Sequence, residues 1–152
     1  VTTPLTAFDA DVLIYAATAG HPLGERVSAL FSDTAPAKAP GSDTGAAAGP
    51  VGVGSVLLLP EVLTKPLRAD ADSAETAALI SLLSRLELLP LTEPTARLAL
   101  ALGSRYGLRP ADAAHLATAV AAGADRFLTN NRKDFPQQAI TEISVVHPDQ
   151  LP

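Results

Sequence analysis

The chain has 152 residues, of which 47% are hydrophobic, largely alanine and leucine, and only 18% charged; that is one domain's worth of core with fewer charges than the usual quarter. A net charge of −5 argues against a protein that coats nucleic acid nonspecifically, but leaves room for an enzyme that meets nucleic acid through cations held by its acids. The lack of cysteine excludes disulfides and thiolate metal sites, no run reaches the roughly 18 unbroken apolar residues of a membrane span, and no secretory signal is expected, so a cytoplasmic protein without membrane partners is expected.

Residues 5–9, LTAFD, read as a short buried strand ending on an acid, and 11–20, DVLIYAATAG, as a helical turn or two stopped by Gly20. His21-Pro22 opens a second helix in which Leu23, Val27, Leu30 and Phe31 share a face. Composition then changes: 32–50 is rich in Pro, Gly, Ala and Ser and has no periodicity, so a long flexible loop is expected there. Residues 51–55 read as a strand, with Ser55 the expected N-cap of a helix over 56–68 that Pro60 is expected to kink. Residues 73–89 form a further helix, favoured by Glu75 in its first turn, and 87–91, ELLPL, suggest a short strand at its end.

Residues 92–107 carry helix punctuation: an N-cap threonine, an early proline and a terminal glycine. Residues 109–123 repeat it. Strands are expected at 126–129 and 142–147. Short strands alternating with helices imply an α/β domain with a mostly parallel sheet covered on both faces. No internal repeat is visible, and 1–152 reads as a single domain.

In such sheets ligands bind beyond the C-terminal ends of the strands, where strand order reverses. Several oxygen-bearing side chains map there. Asp9 ends the first strand and Asp11 follows two residues on. Thr129, Asn130, Asn131 and Asp134 follow a later strand, and Asp112 opens the helix that feeds it. Each has an ordinary reading beside the functional one. Asp9 and Asp11 suit helix caps, Asp112 suits a helix dipole, and Asn130-Asn131 suits a turn. Glu61 is harder to place, because Leu57, Leu58, Leu59, Val62 and Leu63 surround it. It either reaches solvent or is buried with a partner. His115, one turn after Asp112, reads as a hydrogen-bonded core residue outside the site. Two unit charges 4 Å apart repel by about 4 kcal/mol at an effective dielectric near 20. Three or four converging acids therefore call for protons or a cation. Oxygen donors suit Mg²⁺ or Mn²⁺, and three histidines without cysteine make zinc a poor fit.

FDADVLIYA, SVLLLPEVL, RPADAAHLATAVAAGADRFLTNN and KDF, in this order, resemble the PIN-domain ribonucleases, in particular the small prokaryotic VapC-type toxins. The resemblance covers nearly the whole chain. It implies a three-layer α/β/α sandwich around a parallel sheet of about five strands, with Mg²⁺ or Mn²⁺ in an acid-lined pocket. It places the family's acids at Asp9, Glu61 and Asp112. The fourth falls on Asn131, an amide that brings an oxygen but no charge, so Asp11 or Asp134 is expected to supply it. The 32–50 loop is longer than the family's usual connector. The implied activity is metal-assisted hydrolysis of RNA by Asp9, Glu61, Asp112 and Asn131, with Asp11 as a further metal ligand. Thr129, Asn130, Arg132 and Lys133 are the expected substrate contacts, and Lys65 and Arg68 further candidates for phosphate. The implied partners are an antitoxin protein and a second copy of the chain, with a dimer face on helices 55–67 and 73–89.

Two other readings compete. FDADVL also resembles the Asp-x-Asp start of haloacid-dehalogenase-like phosphatases, but no adjacent Asp-Asp pair follows later and the chain is short for that family. The second is a degenerate PIN domain, weakened by Asn131, that only binds RNA or protein.

Overall fold

The computed structural model describes residues 3–32 and 49–152. The expected loop at 32–50 therefore lies, from 33 to 48, outside the described residues. The remaining elements appear in the expected order. Strand β1 (Thr6–Phe8) leads to helices α1 (Ala10–Ala17) and α2 (Pro22–Ser32). Strand β2 (Gly52–Ser55) is followed by α3 (Leu58–Asp70) and α4 (Ala74–Ser84). Strand β3 (Leu86–Leu89) precedes α5 (Glu93–Tyr106) and α6 (Pro110–Ala121). Strands β4 (Arg126–Leu128) and β5 (Ser144–Val146) complete the sheet, and a 3-10 turn covers Pro148–Gln150.

All five strands are parallel, in the order β3-β2-β1-β4-β5. The first three strands step outward in one direction, and β4 then returns to the other side of β1. Strand order thus reverses between β1 and β4, which opens a crevice at their C-terminal ends.

Alternation along the strands divides the core in two. Phe8 and Leu128 point to a cluster with Val12, Leu13, Val27, Phe31, Leu58, Val62, Leu79 and Leu83, beneath α1 to α4. Their neighbours Ala7 and Phe127 point the other way, to Leu102, Leu116, Ala117, Phe135 and Ile143 beneath α5 and α6. Phe8 meets Phe31 at 5.4 Å, and Phe127 meets Phe135 edge-on at 5.1 Å between ring centroids. The result is the expected three-layer α/β/α sandwich.

Helix ends follow local chemistry. Ser73 and Thr92 accept from the backbone N–H of Thr76 and Thr95, satisfying a donor that each helix would otherwise leave free. Gly107 ends α5 at φ 67°, a left-handed conformation that glycine adopts without penalty. Two helical expectations shift. Helix α3 starts at Leu58, so Ser55 is not its cap and instead accepts from the N–H of Leu57 at 3.1 Å. Pro60 then lies in the first turn, where a missing N–H costs nothing, and Pro66 is the proline inside the helix. Helix α4 ends at Ser84 rather than running to 89. The Arg85 carbonyl accepts from the N–H of Val51 at 2.8 Å, which draws the chain into β3.

Helices α1 and α2 pack closely because residue 24 is glycine. A Cβ built there would overlap the carbonyl of Tyr15. Gly24→Ala should therefore destabilise the fold by about 1–3 kcal/mol, the usual cost of overpacking, read as a lower urea midpoint. Gly49→Ala, where a Cβ meets nothing within 4 Å, should leave that midpoint unchanged.

Candidate active site

The crevice between β1 and β4 is where the acids gather. Asp9 leaves β1 and caps α1: its Oδ1 accepts from the N–H of Ala10 at 2.8 Å. Its Oδ2 accepts from the hydroxyl of Thr129, just past β4, at 2.7 Å. That bond spans 120 residues and ties the two strand ends together. Asp9 is 5% exposed and Thr129 is fully buried. Asp11, in the first turn of α1, accepts from the N–H of Asn130 at 3.0 Å through Oδ2. Both strand ends are thus held by carboxylates from one helix start.

Asp112 and Glu61 approach from the helices. Proline at the N-terminal end of α6 sets Asp112 in its first turn, where the exposed Arg109 guanidinium stands 3.6 Å from its Oδ2 and 3.8 Å from Asp134. Glu61, in the first turn of α3, lies 3.1 Å from Nε2 of His115. His115 is buried, and neither ring nitrogen makes an aligned hydrogen bond, so the contact with Glu61 is electrostatic. His115 was expected to stay in the core, yet it stands beneath this acid. Its spacing from Asp112, three residues along one helix, puts both on the same face; that was the signal available.

Asn131 is turned to its own loop. Its Nδ2 donates to Asp134 Oδ2 at 2.9 Å, and its Oδ1 accepts from the Asp134 N–H at 3.3 Å. Asp134 therefore stands beside Asp112, linked through Arg109. Asn130 donates from Nδ2 to the Tyr15 hydroxyl at 3.3 Å. Arg132 pairs with Asp149 at 2.7 Å, on the C-terminal segment. Lys133 is exposed.

Electrostatics confirm that the acids sense one another. Burial pushes the Asp9 carboxyl up, as does the charge of Glu61, against the Thr129 hydrogen bond and the nearby His115. Burial, then the charge of Asp9, pushes Asp11 up to about 7. Asp112 is also raised, by burial and then by Asp9, while Arg109 opposes.

As placed, no three His, Asp or Glu side chains among the described residues converge on a point that would hold an ion. The expectation of a ready-formed cluster is corrected to that extent. The donor chemistry nevertheless fits a hard divalent cation. Asp11 Oδ1 is buried without a hydrogen-bond donor, and Asp112 Oδ2, equally without a hydrogen bond, has only the exposed Arg109 guanidinium at 3.6 Å; a buried carboxylate oxygen with no donor calls for a proton or a cation. Asp9, Asp11, Asp112 and Glu61 are the residues that would hold it.

Comparison with known proteins places this geometry. A toxin-antitoxin complex from Klebsiella pneumoniae is similar over 95% of this chain and 97% of that one, with a TM-score of 0.66 and 22% identity. VapBC2 from Rickettsia felis, bound to a DNA fragment from their promoter, is similar over 94% of this chain and 98% of that one, with a TM-score of 0.66 and 16% identity. These likenesses are of fold. No curated protein matches by sequence. The sequence model of the PIN domain matches residues 7–140. That stretch holds β1 from Ala7 onward, β2, β3, β4 and the acids of the crevice, and the chain belongs to the PIN domain family.

Proposed function

We propose that the protein is a Mg²⁺- or Mn²⁺-dependent ribonuclease that hydrolyses RNA phosphodiester bonds, and the toxin of a toxin-antitoxin pair. PIN domains are nucleases, which supports hydrolysis at the coarse level. The observation that carries the finer reading is the buried, unpartnered Oδ1 of Asp11 at the switch point of the sheet, together with Asp112 Oδ2, which has no hydrogen bond and only the exposed Arg109 guanidinium near it. A fold tolerates such atoms where a ligand completes them.

Asp9 is held rigidly by Ala10 and Thr129 and serves as the central ligand. Glu61 and Asp112 close on it from α3 and α6, and Asp11 from α1. When bound, the cation supplies a water of lowered pKa and stabilises charge on the transferred phosphoryl oxygens. Asp134 supplies the negative charge that Asn131 lacks, held in place by both ends of that amide. His115 steadies Glu61 from beneath. Thr129 and Asn130 hold the ligand side chains and orient the substrate edge.

Lys65 and Arg68 line a cavity of about 420 Å³ with Glu61 and Thr64. They give RNA phosphates a basic wall beside the acids. The exposed Arg109, beside Asp112 and Asp134, and the exposed Lys133 are further candidates for phosphate contact, whereas Arg132 is paired with Asp149.

An antitoxin is the proposed partner. A second cavity of about 360 Å³ adjoins Glu61 and is lined by Ile14, Val62, Pro66 and Leu79, with room for an apolar segment that covers the acids. A homodimer belongs to the same reading. Among the described residues, Leu59 and Leu67 on α3 and Ile80 on α4 are exposed large apolar side chains on the helices expected from the sequence, and Leu100 on α5, at 73%, is a further one. No helix among the described residues is long and apolar enough to cross a membrane.

Three outcomes test this. Asp9→Asn and Asp112→Asn should each lower Mn²⁺-dependent cleavage of single-stranded RNA at least 100-fold while circular dichroism stays unchanged; a binding-only domain would show no cleavage before mutation. Asp134→Asn should weaken Mn²⁺ binding about tenfold by calorimetry, a cost of about 1.4 kcal/mol, and Asn131→Asp should strengthen it.

The third concerns pH. Asp9, Asp11 and Asp112 all titrate higher in the folded chain than in the unfolded one. The folded state therefore binds more protons. Its stability is fullest below the ordinary carboxylate range, and is lost as pH rises through the folded values, about 7 for Asp11. In chelator, the thermal midpoint should fall between pH 5 and pH 8. Added Mn²⁺ should restore it at pH 8 and do little at pH 5.

A further inference from the structure

We propose that the stacked rings of Tyr15 and His21 form a nucleobase subsite, which receives a base of the RNA next to the cleaved phosphate. This rests on the ribonuclease reading above.

The two rings are nearly parallel, 11° apart, with centroids separated by 4.3 Å. They lie at the edge of the acid-lined crevice. Tyr15 follows Asp11 by four residues and so shares its face of α1. Asn130 joins the two, donating to both: its backbone N–H to Asp11 Oδ2 and its side-chain amide to the Tyr15 hydroxyl. Both rings keep partial exposure, so the stack has surface to offer a third ring.

Aromatic side chains are scarce here, which makes their placement informative. The chain has four phenylalanines and two tyrosines. Phe8, Phe31, Phe127 and Phe135 are all buried. Tyr106 is committed to Glu142, just ahead of β5 and so toward the N-terminal ends of the strands, away from the crevice at their C-terminal ends. Tyr15 alone among them stands by the acids with solvent access.

His21 is larger than its local task requires. Its Nδ1 accepts from the N–H of Gly24 at 3.1 Å, a capping bond that Asn, Asp or Ser makes as well or better. The imidazole adds a flat ring over Tyr15. Gly24 permits this, because only a residue without Cβ lets the start of α2 lie against the Tyr15 carbonyl.

Stacking also suits the charge balance. A chain of net charge −5 gains little from phosphates at long range. Base-on-ring contact is independent of charge and tolerant of sequence. It would hold the RNA single-stranded at the crevice and set which nucleotide enters it.

The decisive variant is His21→Asn, which keeps a capping acceptor and removes the ring. Tyr15→Leu removes the other ring, and Tyr15→Phe keeps it while losing the Asn130 bond. Short single-stranded RNAs carrying 2-aminopurine at successive positions report stacking by quenching, in an Asp9→Asn background that does not cleave. Cleavage kinetics are read in the parent. His21→Asn and Tyr15→Leu should abolish the quench at one position and raise KM about tenfold with kcat within twofold; Tyr15→Phe should behave as the parent. If His21→Asn retains the parental quench and KM, the subsite is refuted while the nuclease reading stands. A parent that neither cleaves nor binds any RNA refutes both.

Discussion

The bond from Thr129 to Asp9 closes the switch point of the sheet, and much of the molecule is arranged around it. It joins the ends of β1 and β4 across 120 residues, and both partners are buried. A buried carboxylate is costly unless its charge is met. Here two donors, Thr129 and the Ala10 N–H, meet it in part. Burial still dominates, and Asp9 is pushed toward its neutral form. Its charge in turn pushes up Asp11 and Asp112. Deprotonating these acids together would set like charges against one another in a buried crevice, the kind of perturbation that clusters at functional sites.

The order of elements was legible because each is short, punctuated and of clear period. Thr92 with Gly107, and the prolines at 94 and 110, delimit α5 and α6 in the sequence much as they do in space. The parallel sheet followed from alternation, and Asp9, Asp112 and Thr129 fell where strand ends and helix starts put them. What periodicity could not show is where a helix begins by tertiary demand. The start of α3 slips past Ser55 to Leu58 because β2 extends through Ser55, which pairs in register with Leu89 of β3. That slip moves Pro60 from a kink to a harmless first turn.

Within the site, single-residue readings failed where a pair was the unit. His115 looked like core on an alanine-rich helix, and it is buried, but its partner Glu61 comes from α3, more than fifty positions away. Asn131 looked like a ligand with a missing charge. Its amide is spent on Asp134, which Arg109 then holds near Asp112. Tyr15 and His21 read as helix filler and helix opening; only the close approach at Gly24 makes them a stack. The pairings Glu61–His115 and Arg109–Asp134 join residues far apart along the chain and leave no pattern in it; Asn131–Asp134, three residues apart, is a local exception.

The two sides of the crevice are built differently, and this bears on how it acts. On the β1–β4 side, Asp9, Thr129, Asp11 and Asn130 interlock through short hydrogen bonds to backbone and side chain. Their positions are fixed by strands buried on both faces. On the helix side, Glu61 and Asp112 meet partners through longer electrostatic contacts of 3.1 and 3.6 Å, and Arg109 is largely solvent-exposed. The Arg109 contact is exposed and therefore weak, whereas His115 meets Glu61 from inside the core. The first pair of acids is thus preorganised, while Asp112 depends on an exposed partner for its place. That division is why two buried oxygens without a hydrogen bond coexist, among the described residues, with no three converging ligands: the strand ends fix Asp9 and Asp11, while Glu61 and Asp112 are placed by His115 and Arg109 instead.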